Sequence, residues 1–214
     1  MSLTFLILSA VAAFGDWAAV GKRYFHLEYL LKPLTLTLLI VAAASADLGP
    51  GQAFVVGALV LGLLGDVGLL LSRGPDADPP FVLGLAAFLL GHLFYLVAFG
   101  RHGLHWLFAI AGVLVVGGAA ALALVPVLRG VRERAGQELA VVVGGYSAVL
   151  GAMAVLAVAT GSVLTAMGGV LFLASDLVLA RDRFVHPVRR GPLLVIITYH
   201  LAQLLIVIGL IKHL

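Results

Sequence analysis

The 214-residue sequence contains no cysteine. Disulfides, thiolate metal sites and a cysteine nucleophile are thereby excluded. Charge is also scarce. Asp, Glu, Lys and Arg make up 11% of the chain, against roughly 25% in an ordinary soluble domain. There is no polar stretch long enough to build a separate soluble domain, and no low-complexity tract. The motifs of familiar hydrolases are missing too: no Gly-x-Ser-x-Gly elbow, no His-Glu-x-x-His and no P-loop. The histidines on helices 4 and 8 make no recognisable zinc spacing.

What is present is apolar. Hydrophobic residues make up 63% of the chain, more than one soluble core of this size can hide, so the excess faces lipid. A span needs about 20 apolar residues. Eight such runs are legible, at 3–20, 29–46, 52–72, 80–99, 104–127, 138–159, 162–180 and 191–211. They are continuous and lack the alternation of barrel strands, which makes them helices. Gly49-Pro50-Gly51, Gly74-Pro75, Pro79-Pro80 and Gly161 supply turns between them. The expectation is an all-α polytopic membrane bundle of about eight transmembrane helices, forming one integral membrane domain over 1–214. No Lys or Arg precedes the first run, which favours a retained helix over a cleaved signal peptide.

The net charge of +3 is not a nucleic-acid signature, because the basic residues sit in short loops. One set of loops holds Lys22, Arg23, Arg73, Arg129, Arg132, Arg134, Arg181, Arg183, Arg189 and Arg190, and the other only Arg101 and Lys212. The positive-inside rule then puts the basic loops in the cytoplasm and both termini outside the inner (cell) membrane. His105, Trp106 and Phe108 read as an interfacial anchor. Helix 5, with no ionisable residue between His105 and Arg129, reads as a lipid-facing wall.

Charges within spans are costly, about 2.5–3.5 kcal/mol each, and usually functional. Asp66 and Asp176 lie clearly inside spans, and Lys32 is the one cation there. Asp16 reads as interfacial. At 1.5 Å per residue, Asp66 is about 10 Å inside Arg73, Asp176 about 7 Å inside Arg181, and Tyr146 and Tyr199 each about 12 Å from their cytoplasmic ends. His92, Tyr95 and Gln203 lie deeper. Helical spacing gives polar faces: Tyr199 with Gln203, Phe88 with His92 and Tyr95, and Gly169 with Phe172 and Asp176. Lys32 either snorkels to the surface or pairs with an aspartate. Lone His92, His200, Tyr146, Tyr199 or Gln203 would be interhelical hydrogen-bonders. The ends of helices 3 and 7, Leu63-Leu64-Gly65-Asp66 and Leu173-Ala174-Ser175-Asp176, form at most a faint internal repeat. The Gly-x-Gly-Asp of intramembrane aspartyl proteases is absent at Asp66.

The ordered set of Lys32-Pro33, Gly65-Asp66, Gly84…Phe88…His92…Tyr95, Tyr146 with Met153, Gly168-Gly169-Val170-Leu171-Phe172…Ser175-Asp176 and Thr198-Tyr199…Ala202-Gln203 resembles the YhhN-like lysoplasmalogenase family. His200 departs from the aromatic expected at that position. The resemblance implies a membrane hydrolase. It would cleave the vinyl ether bond of lysoplasmalogen-type lysophospholipids to a fatty aldehyde and a glycerophospho-alcohol, without a metal or organic cofactor. Protonation of the alkene carbon gives an oxocarbenium ion to which water adds, a problem that glycosidases solve with two carboxylates. Burial disfavours an ionised carboxyl and a nearby ammonium favours it, so two aspartates and one lysine can divide the acid and base roles. The expected catalytic residues are Asp66, Asp176 and Lys32, with Tyr146, Tyr199, Gln203, His92, Tyr95 and Ser175 placing the lipid. The competing readings are a small multi-pass transporter or lipid scramblase using the same Asp/Lys cluster, and a membrane sensor or assembly factor whose polar residues only hold helices together.

Overall fold

A computed structural model describes residues 2–72 and 79–211. The Gly74-Pro75 turn, Arg73, Asp76, Asp78 and Lys212 lie outside the described residues. The helices are α1 (Ser2–Lys22), α2 (Phe25–Ser45), α3 (Gln52–Leu71, entered through a 3-10 turn at Gly49–Gly51), α4 (Pro79–His102), α5 (Trp106–Ala159), α6 (Val163–Phe184) and α7 (Gly191–Leu210). No strand occurs among the described residues. Among the described residues, seven helical segments are long and apolar enough to cross a membrane; the bent pair Trp106–Ala120 and Leu122–Arg134 makes an eighth if it is one span. The chain is an all-α, multi-pass membrane protein.

Several boundaries differ from expectation for local reasons. α2 begins four residues early, because the turn before it is compressed onto Arg23, which takes a left-handed φ of 60°. α6 runs on through Arg181, Asp182 and Arg183 to Phe184. Charge suggested a loop there, but basic side chains suit the negative end of a helix dipole. α5 is the main difference. The expected loop between 127 and 138 is mostly helix, and the chain reverses at Gly136, whose φ of 89° a residue with a side chain rarely adopts.

The helices group into two compact units. The first contains α1 to α4 and the last turn of α7. Here α1 and α2 run antiparallel, fastened where the Ser9 hydroxyl donates to the Thr35 carbonyl at 2.9 Å. α3 and α4 touch backbone to backbone. A Cβ on Gly68 would lie 2.6 Å from the Gly84 Cα, and one on Gly65 would lie 2.6 Å from the Phe88 ring. Small residues are what let membrane helices approach this closely.

The second unit contains α5, α6 and most of α7. The two arms of α5 lie side by side: the His105 amide donates to the Ala159 carbonyl at 2.8 Å, and Gly112 abuts Val155. Gly169 seats α6 against Ala154 and Ala157 of α5, and Gly168 seats it against Ala202 of α7. On the first arm, Leu107, Val113, Leu114, Val115 and Leu122 are exposed. In a membrane protein that face meets acyl chains. Trp106 and Phe108 are exposed at the start of the arm.

Candidate functional site

The expected site residues fall into two groups by unit: Lys32, Asp66, His92 and Tyr95 in the first, Tyr146, Ser175, Asp176, Tyr199 and Gln203 in the second.

In the first unit, the Lys32 ammonium lies 3.3 Å from the Asp66 carboxylate. Lys32 is 8% exposed and Asp66 is 1% exposed, so the lysine does not snorkel. Sequence sets this up. Pro33 fixes φ at the next residue, and lacks an N–H to give the helix ladder. On α3, Gly62, Gly65 and Asp66 share the buried face that packs on α4, so the Asp66 carboxylate is turned inward. His92 and Tyr95 are each 1% exposed on the inner face of α4. Tyr95 stacks on Phe99 at 5.6 Å between ring centroids.

Asp16, expected at the interface, is covered by protein: its residue is 0% exposed. Its neighbour Gly15 meets the Leu31 side chain, and the charges that act on Asp16 are those of Lys32, Glu28 and Asp66. Neither Asp16 oxygen has a hydrogen-bond partner among the described residues. The signal was in the sequence: Ser9, Ala12, Ala13, Asp16 and Ala19 form a small-residue stripe at helical spacing, and all are buried. Among the described residues, the first unit therefore buries two carboxyl groups, of which Asp66 is ion-paired with Lys32 and Asp16 is not.

In the second unit, the Tyr146 hydroxyl donates to Asp176 Oδ2. Tyr146 comes from the second arm of α5 and Asp176 from α6. The packing of Gly169 on Ala154 and Ala157 brings these helices together. One residue before Asp176, the Ser175 hydroxyl donates to the Val195 carbonyl of α7 at 3.1 Å. Ser175 thus fastens α6 to α7. On α7, Gln203 donates its amide N–H to the Tyr199 oxygen at 3.3 Å, and the Tyr199 ring meets Phe172 edge-on at 5.4 Å. His200 packs beside Tyr199 at 5.7 Å and is buried.

Chemically, the first unit offers a carboxylate beside a fixed cation. The second offers a carboxyl group oriented by a phenol. Both kinds of group can move or hold protons. No cluster of three or more His, Asp or Glu with metal-binding geometry occurs among the described residues.

Comparison with known proteins adds three relatives. The chain is 34% identical to the lysoplasmalogenase TMEM86B of Sus scrofa over 83% of its length and 72% of that protein. It is 35% identical to the human lysoplasmalogenase TMEM86B over 73% of its length and 62% of that protein. It is 33% identical to the Mus musculus lysoplasmalogenase TMEM86B, over 83% and 72% of the two chains. No solved structure matches. The YhhN family profile matches residues 27–210, a region that includes every expected site residue and leaves out Asp16. This chain belongs to the YhhN family.

Proposed function

We propose that this protein is a lysoplasmalogenase: it hydrolyses the vinyl ether bond of a lysophospholipid to a fatty aldehyde and a glycerophospho-alcohol. The relatives named for that activity support the reading. The observation that carries the assignment of roles is the buried Lys32–Asp66 ion pair. An ion-paired carboxylate is poised to stabilise a cation and to accept a proton, and cannot itself be the acid. The acid role then falls to Asp176, with Tyr146 orienting it.

In this mechanism the Asp176 proton passes to the alkene carbon remote from the ether oxygen, leaving an oxocarbenium ion. Water adds to the cationic carbon and gives up a proton to the Asp66 carboxylate. The hemiacetal then collapses: the C–O bond to glycerol breaks, the alcohol leaves with a proton, and the aldehyde is released. One water is consumed and no electrons are exchanged. Asp66 then releases its proton and Asp176 takes one up, which resets both groups for the next turnover. Tyr199, Gln203, His92 and Tyr95 contact the lipid, and Ser175 sets the position of α6. No metal or organic cofactor takes part. The ends bearing Lys22, Arg23, Arg129, Arg132, Arg134, Arg181, Arg183, Arg189 and Arg190 face the cytoplasm across the inner membrane, with both termini outside.

The test uses purified protein in detergent with a 1-alkenyl lysophospholipid and, separately, its 1-acyl counterpart, each with and without chelator. Aldehyde release from the alkenyl lipid alone, unaffected by chelator, is expected. No aldehyde from the alkenyl lipid, together with solute or lipid movement in proteoliposomes, would make the protein a transporter or scramblase instead.

A further inference from the structure

The bend of α5 encloses a cleft of about 380 Å³, lined by Leu128, Arg129 and Arg132 from one arm and Gln137, Ala140, Val141 and Gly144 from the other. The two arms meet at its floor, where a Cβ on Gly144 would lie 3.8 Å from a Leu128 methyl. Arg129, Arg132 and Gln137 are exposed. Neither guanidinium has a hydrogen bond or ion pair among the described residues. Glu133 and Glu138 belong to the same bend but do not line the cleft. The bend joins Leu122–Arg134, the second half of the bent pair that begins at Trp106, to the candidate span Gly136–Ala159; Arg129, Arg132 and Arg134 gathered at the end of an apolar span place it at a membrane–water boundary.

We infer that this cleft is a binding site for an anionic phospholipid of the surrounding bilayer. The phosphate sits on Arg129 and Arg132, and the first part of an acyl chain lies along Leu128, Ala140, Val141 and Gly144. Three observations fix the occupant. Two uncompensated guanidiniums, which can each bond a phosphate through two N–H groups, demand an anion. The apolar wall demands a hydrocarbon attached to that anion, which free phosphate lacks. The direction of the cleft separates it from the candidate catalytic groups. Gln137, Ala140, Val141 and Gly144 follow the 0, +3, +4, +7 pattern of one helix face. Tyr146, two residues on, is turned by about 200° at 3.6 residues per turn. Tyr146 is buried and bonded to Asp176, so the cleft opens on the opposite side of that arm, toward lipid. Its ligand is a resident lipid that braces the α5 hairpin and is not consumed. This holds whatever reaction Asp176 performs.

The test is thermal stability of the whole protein in a neutral detergent, titrated with phosphatidylglycerol, phosphatidylcholine or inorganic phosphate, with native mass spectrometry to count retained lipid. Phosphatidylglycerol is expected to raise the melting temperature and remain bound one per chain, phosphatidylcholine less so, and inorganic phosphate not at all. The double variant Arg129→Gln/Arg132→Gln is expected to need about tenfold or more phosphatidylglycerol for the same shift, since each basic residue near an anionic lipid contributes about 1 kcal/mol. Gly144→Leu, which keeps both guanidiniums and fills the cleft, should have a similar effect. Arg134→Gln, on the same bend outside the cleft, should have little. An unchanged titration in the double variant would overturn the inference. So would an equal loss in Arg134→Gln, which would reduce the effect to general surface charge, or a full shift with inorganic phosphate alone.

Discussion

Replacing Lys32 by Met should be the most destabilising single change in the first unit's polar cluster. At 3.3 Å, and with an effective dielectric of about 20, the attraction between Lys32 and Asp66 is about 5 kcal/mol. Much of this is offset by the cost of taking both charges out of water. The methionine fills a similar volume but leaves the Asp66 carboxylate buried without its ion-pair partner. Breaking a buried pair from one side typically costs about 3–5 kcal/mol, and Lys32→Met should fall at the upper end. Asp66→Asn should cost less, because the asparagine keeps the shape of the carboxyl and its amide oxygen can still accept a hydrogen bond from the Lys32 ammonium. The double variant Lys32→Met/Asp66→Asn should lose far less than the sum of the singles, with a coupling of about 2 kcal/mol or more. The assay is equilibrium unfolding in mixed micelles of increasing denaturing-detergent fraction, followed by the fluorescence of Trp17 on α1. Additive single effects, or a Lys32→Met variant within about 1 kcal/mol of the parent, would refute the reasoning.

Asp16→Asn should leave stability unchanged or raise it, because it removes a buried carboxyl group that has no hydrogen-bond partner among the described residues; a loss comparable to that of Asp66→Asn in the same unfolding assay would argue that Asp16 is the principal partner of Lys32. Asp176→Asn should lower kcat on a 1-alkenyl lysophospholipid by at least about 10²-fold, the usual scale of an acid–base contribution, and Tyr146→Phe by about tenfold, both read from initial rates of aldehyde release. Gly68→Ala should destabilise the first unit by about 1–3 kcal/mol, since the new methyl meets backbone at 2.6 Å. Gly118→Ala, where a methyl meets nothing within 4 Å, should be neutral or slightly stabilising in the same measurement. Because the chain has no cysteine, Arg134→Cys and Leu104→Cys report topology directly: in intact cells an impermeant maleimide should label position 104 and spare position 134.

The helices were legible because eight long apolar runs in a chain this poor in charge have few other ways to satisfy their backbones. Their ends were less so. Arg181, Asp182 and Arg183 read as loop by charge but continue α6, because helix dipole and propensity outweigh their polarity at a membrane boundary. The α5 reversal depends on one backbone angle at Gly136, which composition does not encode. Within the candidate site, the inward turn of Asp66 followed from Gly62 and Gly65 on the same face of α3. Asp16 was missed for a different reason. Its position near the end of α1 suggested the interface, and only the packing of α1 on α2 shows that its stripe is covered. The Ser175 hydroxyl, expected to help place the lipid, donates to the Val195 carbonyl, a partner that sequence spacing within α6 cannot reveal.

The central claim, that these buried carboxylates protonate a vinyl ether at carbon and deliver water to the resulting cation, is tested most directly by turnover in D2O with the product reduced at once by borohydride. The aldehyde-derived alcohol should carry one deuterium at carbon 2, and its formation should fall at least about 10²-fold in both Asp66→Asn and Asp176→Asn. An aldehyde without deuterium at that carbon, or undiminished turnover in both variants, would contradict the account.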